Sequence, residues 1–490
     1  MRSIFRRRMA TAFLFALPFA PLVLGGCATN PATGKKEISF VSRSQEKEIG
    51  RGEDQHILAE YGTYGDTLLT AYLTDVGNRL AAQSELPSLE WHFRLLDSDV
   101  VNAFALPGGY IYITRGIMAA LNSEAQLAGV VGHEIGHVTA RHTAQRITNQ
   151  QLAGVGLMAG MILSPEVARY GQALQTGAGL LLLKFGREDE NQADGLGIRY
   201  MVKAGWDPRE VPATYDMLGR LSSASGDAIP SFLSTHPDPG DRKARTSTLA
   251  IDAVTSSGKS TWTVHADEYK KRVDNMVYGI DPEAGYLEDN VFYHPGLNIE
   301  ITWPNGWKVT NSAANVSSTD GTAAIQLTIE TTKDGPSDPV AYVDYLNQKG
   351  EISAAQGQGR TINGQKAWVG RVTSSRGGQG EGDFAVAFIA KGEKEFYQFV
   401  GIPGATDANG RFQNVVTSLG PIKDAGKRNA RADRVDLVTA PGGKSYDQIF
   451  AGEKDLALPF DKLAWLNNAF GKDVPAKGTL VKVVRRTTPA

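Results

Sequence analysis

His133-Glu134-Ile135-Gly136-His137 sets two imidazoles four residues apart with a carboxylate between them. Residues four apart share a face of a helix, so both rings can reach one ion while Glu134 lies beside the position they leave open. Such a pair suits zinc, with ring nitrogens at about 2.0 to 2.1 Å. Zinc acidifies a water molecule towards a pKa of about 7, and Glu134 can take its proton and pass it to a departing amine. The chemistry expected is peptide hydrolysis, with one zinc per chain. Val130, Val131, Ile135 and Val138 make the same stretch apolar, so these polar groups would be buried at a cost unless they bound something.

Two histidines need a third protein ligand. His142 lies five residues beyond His137, well off the ligand face if 123–147 is one continuous helix, as its pattern predicts. Ala140 and Thr143 stand where a metzincin would need Gly and His, which excludes that class. Downstream, Arg187-Glu188-Asp189-Glu190-Asn191-Gln192-Ala193-Asp194 opens a second helix with Glu190 and Asp194 on one face. One carboxylate can bind the metal while the other accepts a hydrogen bond from a ligating imidazole and fixes its tautomer. Glu188 competes less well, since four residues on it meets Gln192.

The pair of motifs, HExGH followed by RxxExxAD, resembles the HtpX and CAAX-prenyl-protease group of gluzincin zinc metallopeptidases, over roughly residues 45–252. The resemblance implies His133, His137 and Glu190 as metal ligands, Asp194 as the group behind them and Glu134 as the catalytic base. Asn102-Ala103-Phe104 precedes Leu106-Pro107-Gly108-Gly109 as in that group, which implies an edge strand that pairs with an extended substrate. Ser234-Thr235-His236-Pro237 matches its downstream His-Pro segment, so His236 is expected near the metal, either stabilising an oxyanion or filling the open position. His56, His92, His265 and His294 lack ligand spacing and are assigned to surface or packing. The resemblance points to the group's soluble periplasmic members, and so to unfolded or misassembled envelope polypeptides as substrates.

Arg2, Arg6, Arg7 and Arg8 precede an apolar run that ends in Leu24-Gly25-Gly26-Cys27, which resembles a lipoprotein signal. Cys27 is the only cysteine, so no disulfide forms within the chain, and its acylation would supply a membrane anchor in the periplasm. Ala28 after the cysteine favours the outer membrane. The net charge of −2 offers no footprint for nucleic acid.

These elements imply a multidomain chain of 490 residues. After a signal at 1–26 and a tether at 27–44 comes a mainly α, zincin-like catalytic domain with a small β-sheet at 45–254. Within it, 152–163 and 173–185 are too short and Gly-rich to span a bilayer, and predict a buried hairpin or a lid. A connector at 255–291 leads to an α+β domain at 292–422 that resembles the PsbP fold. Beyond a basic linker at 423–433, residues 434–486 read as strand, two helices, strand and resemble a LysM module, which implies peptidoglycan as a further partner. A peptidoglycan-directed zinc hydrolase and a non-catalytic envelope chaperone are the competing readings.

Overall fold

Strand β5 (Tyr110–Thr114) is buried along its whole length, which its alternating aromatic and branched residues suit. It pairs in parallel with β3 (His92–Leu96) and antiparallel with β4 (Ala103–Leu106). The order β3-β5-β4 leaves β4 at an edge. The computed structural model describes residues 26–149, 185–224, 232, 236, 239–374, 382–402 and 410–487. The segments expected as a hairpin or lid, 152–163 and 173–185, lie outside them apart from Phe185.

Helix α4 (Glu124–Thr139) starts where the Ser123 hydroxyl accepts the Gln126 N–H, and every one of its residues is buried. A helix apolar all round belongs in a core, and α4 occupies it, against α2 (Thr67–Ala81) and the long helix Arg187–Ala204. That second contact is close because Gly132 and Gly197 face each other: a Cβ on Gly197 would stand 2.9 Å from the His133 nitrogen. Any side chain there pushes the helices apart.

The helix predicted over 123–147 is broken. Arg141 adopts φ 60°, and a new helix, α5, occupies 142–149. The reversal is held by the Arg141 side chain, which is drawn into Glu46 and the Val41 carbonyl at 3.2 and 2.6 Å. Val41 belongs to the stretch expected as a tether, which is itself folded. Strands β1 (Gly26–Thr29) and β2 (Lys36–Ser39) form an antiparallel hairpin, and Asn30 donates to the Ala140 carbonyl at 3.0 Å. Helix α1 (Arg43–Tyr61) follows directly.

The remaining helices of this body are α6 (Arg187–Ala204), α7 (Val211–Ala224), α8 (Pro239–Ser257) and α9 (Ala266–Arg272). The last lies within the expected connector: Tyr269 is fully buried with its hydroxyl on the Met118 carbonyl at 2.6 Å, and Val273 and Met276 join it in the core. Beyond it β6 (Val277–Tyr278) pairs with the C-terminal unit.

The middle unit holds two sheets. Strands β7 (Tyr286–Glu288), β8 (Val291–His294) and β9 (Ile299–Thr302) form the smaller. The larger has seven antiparallel strands in the order β10 (Lys308–Asn311), β11 (Asn315–Thr319), β12 (Ala324–Thr331), β16 (Glu395–Ile402), β15 (Gly382–Gly392), β14 (Gln365–Ser374) and β13 (Ser353–Ile362). Helices α10 (Pro339–Gln348) and α11 (Arg411–Ser418) accompany it. Strand β13 escapes the sequence reading because most of its residues are exposed and polar, with no alternation to betray it.

After a short helix, α12 (Ala425–Arg428), the C-terminal unit runs β17 (Asp433–Thr439), α13 (Tyr446–Phe450), α14 (Phe460–Leu466) and β18 (Leu480–Arg485). It is seated on the catalytic body. Lys482 is fully buried and donates to the carbonyls of Ala119, Ala120 and Leu121 at 2.7, 3.2 and 2.8 Å. These carbonyls end α3 (Arg115–Ala120), and cations there satisfy acceptors the helix leaves over. Burial, and then the neighbouring Lys270, hold the Lys482 amine well below its ordinary value. Asn122 adds a bond to the Leu466 carbonyl at 3.1 Å, one residue before the cap of α4.

Candidate metal centre

Helix α4 presents His133 and His137 one turn apart, with their Nε2 atoms 3.0 Å from each other. Across the glycine contact α6 brings in Glu190, with its oxygens 3.4 Å from His133 Nε2 and 3.6 Å from His137 Nε2. The structure adds His236, whose Nδ1 lies 2.9 Å from Glu190 and 3.3 Å from His133 Nε2. One donor atom from each of these four buried residues lies within 4.8 Å of the others. Glu134, fully buried, stands alongside with one oxygen 3.7 Å from His236 Nε2.

Groups behind the donors decide which nitrogen of each ring is free. Asp194 lies 2.9 Å from His133 Nδ1, so that atom holds its proton and Nε2 is the one that would be given up to a metal. For His137 the same is done in two steps. Gln192 Oε1 accepts from His142 Nε2 at 2.9 Å, which makes His142 Nδ1 the acceptor from His137 Nδ1, also at 2.9 Å. Burial lowers the His142 pKa and keeps that relay neutral. His142 therefore orients a ligand, a role that an unbroken helix forbids and the turn at Arg141 permits. The ring of Phe185 closes the site against His137 at 4.0 Å between centroids.

Arg242 is a further residue of the site, to which the sequence pattern assigns no role. Nearly fully buried, its guanidinium meets Glu190 at 2.7 Å and Asp194 at 2.6 Å. Tyr215 donates to Asp194 at 2.6 Å, and Arg245 pairs with the same carboxylate. Burial alone would raise both acids, but His236 and His133 hold Glu190 well below the usual carboxylate range, and Arg242 and His133 hold Asp194 below it. Burial lowers His137 well below its ordinary value and raises Glu134.

The donor set fits zinc, being imidazole nitrogens and one carboxylate with oriented partners. Both oxygens of Glu134 and Nε2 of His236 are buried without a hydrogen-bond partner, a cost that a hydrated cation would remove. Burial and Arg242 pull the His133 pKa down, but the hydrogen bonds it makes to Asp194 and Glu190 outweigh them and raise it to about 9. Metal uptake near neutral pH must therefore expel a proton, and zinc affinity should climb as pH rises towards that value. Titration calorimetry at about pH 7.5 in buffers of different ionisation enthalpy should show release of about one proton per zinc. A release of zero would contradict the assignment.

The strand expected to meet substrate is partly displaced. Ala103 and Phe104 lie in β4, whereas Asn102 precedes it, with its backbone bound to the Thr114 hydroxyl at 3.1 and 2.8 Å. Cys27 lies in β1.

Residues 67–250 match the model of peptidase family M48. The beta-barrel assembly-enhancing protease of Escherichia coli is 32% identical over 236 residues, covering 46% of this chain and 48% of that protein. Mitochondrial metalloendopeptidase OMA1 of Arabidopsis thaliana is 39% identical over 158 residues, 32% of this chain and 31% of that protein. The chain thus spans half or less of the length of these curated relatives. A solution structure of cyanobacterial PsbP from Synechocystis aligns with 28% of this chain and 95% of its own, at 11% identity and a TM-score of 0.20.

Proposed function

Taking residues 67–250 as a metallopeptidase domain of family M48, we propose that this chain is a zinc-dependent endopeptidase of the bacterial cell envelope that cleaves misfolded or stalled envelope polypeptides. The observation that carries the reading is the convergence of His133, His137 and Glu190 beside a buried, unpartnered Glu134. The Escherichia coli relative is named as a protease that enhances beta-barrel assembly, which supports a protein substrate. The motif order supports placement near the HtpX and CAAX-prenyl-protease group.

Zinc bound by these residues supplies a Lewis acid that polarises a peptide carbonyl and acidifies a water molecule. Glu134 accepts the proton of that water and delivers it to the leaving amine, a transfer suited to a carboxylate whose affinity for protons burial has raised. Asp194 and the His142–Gln192 relay keep both imidazoles in the tautomer that offers Nε2. His236 would be a fourth group able to hold the metal, since its Nδ1 lies among the same donor atoms. Edge strand β4 reads the substrate backbone through Ala103 and Phe104.

The proposed anchor is a lipid on Cys27. Because β1 begins at Gly26, such a lipid holds the catalytic body at the membrane, by proposal the outer membrane, without a flexible tether. Cys27→Ser should move the protein from the membrane to the soluble fraction on fractionation, and retention in the membrane would reject the anchor. The 292–422 unit is proposed as PsbP-like and the C-terminal unit as a LysM-like module with peptidoglycan as partner.

Denatured casein provides the direct test. A chelator should abolish its cleavage and added zinc should restore it, while purified muropeptides stay intact. Muropeptide cleavage with casein untouched would instead favour the peptidoglycan hydrolase.

A further inference from the structure

A cavity of about 320 Å³ lies between the catalytic body and the C-terminal unit. The catalytic body contributes Val101 and Met217, the β6 segment contributes Val277 and Tyr278, and the C-terminal unit contributes Leu458 and Trp465. Its one buried charge is already committed. Arg115 bonds Asp97 at 2.8 Å and the carbonyls of Val277 and Gly279 at 3.0 and 2.9 Å, which ties β6 in place as a wall. What remains open to an occupant is apolar, with Asp99 and Lys462 exposed at the rim.

One wall of the cavity is tied to the metal centre. Val101 accepts the Phe232 N–H at 3.4 Å, and the Phe232 ring stacks on His236 with centroids 4.5 Å apart. Val101 also leads directly into β4, an edge of its sheet among the described residues, which packs against the metal-bearing helix α4. A polypeptide added to that edge pairs best antiparallel. Its residues after the scissile bond then run towards the N-terminal end of β4, the side on which Val101 lines the cavity. Val101 lies two residues before Ala103, a step of about 7 Å along an extended chain.

We propose that this cavity is the subsite for a large apolar side chain of the substrate on the C-terminal side of the scissile bond, so that Leu458 and Trp465 make the C-terminal unit part of the specificity apparatus. The proposal rests on the endopeptidase reading above. The bond that Lys482 makes to the end of α3 keeps the outer wall in register with the active-site helix. An apolar occupant gains by burial there, while a small or charged one leaves the walls unfilled.

The test uses the full zinc-loaded chain and peptides that differ at single positions after the cleaved bond, carrying Phe, Leu, Ala or Asp. At one such position Phe or Leu should be preferred over Ala by about tenfold in kcat/KM, as apolar pockets discriminate. In Trp465→Ala that ratio should fall to about twofold, and in Leu458→Ala to an intermediate value. Melting curves identify a variant that has lost its fold, and the other variant then decides. A preference that survives both substitutions, or that appears only before the scissile bond, overturns the subsite. Binding of the same peptides to Glu134→Gln separates the two claims. If wild-type chain hydrolyses nothing, the endopeptidase reading falls, and the subsite stands or falls on whether Trp465→Ala removes the binding preference in that background.

Discussion

Glu134→Gln keeps its zinc and loses casein cleavage by a factor of about a hundred to ten thousand, the range that a positioned general base contributes. The substitution is nearly isosteric, and neither carboxylate oxygen holds a hydrogen bond that the amide would break. Folding and metal content should therefore match the wild type. Glu190→Ala gives the contrasting result, losing metal and activity together, because Glu190 bridges toward both imidazoles and His236. Metal analysis alongside turnover separates the two roles. A Glu134→Gln protein with half or more of wild-type activity would remove Glu134 from the chemistry.

Arg242→Met should cost about 3 to 5 kcal/mol of stability in the zinc-free protein, the loss expected when one partner of a buried ion pair is taken away. Glu190 and Asp194 would be left facing each other's surroundings without the guanidinium between them. Zinc affinity should fall about 10- to 100-fold as the carboxylates lose their fixed positions. Arg242→Lys restores the charge but cannot fork across two carboxylates, so it should recover only part of either quantity. The pH dependence has a definite sign. Carboxylates held below their ordinary range contribute stability above a pH of about 4 and lose it as the pH falls through their folded values. The gap between Arg242→Met and the wild type should be full at neutral pH and narrow below about pH 4. Chemical denaturation across that range measures it, and a gap that stays constant would assign Arg242 a packing role only.

Much of the fold was legible where side-chain pattern and burial agree. The C-terminal unit has the strand, two helices and strand that the pattern of 434–486 implies, and helix α4 carries the His133–His137 motif as its spacing implies. The misses share one cause, which is that distant groups override a local preference. The stretch 27–44 looks like a tether from its Pro and Gly, yet Asn30 and Val41 find buried partners on the end of α4. The helix pattern beyond Thr139 continues on paper, and Glu46 breaks it through Arg141. The connector looks polar because its one deeply buried aromatic, Tyr269, is spread thinly among charged neighbours.

The sequence by itself determined which groups hold the donor atoms, because a pair of imidazoles four residues apart and a pair of carboxylates four residues apart each fix a shared helical face. It could not determine how the two faces meet, since their approach depends on Gly132 and Gly197 touching across 65 residues of chain. Nor could it reveal that His142 and Gln192 set one tautomer while Asp194 sets the other, or that Arg242 neutralises both acids. Those partners are chosen by distance in space, and a buried charge takes whichever counter-charge the packed helices deliver to it.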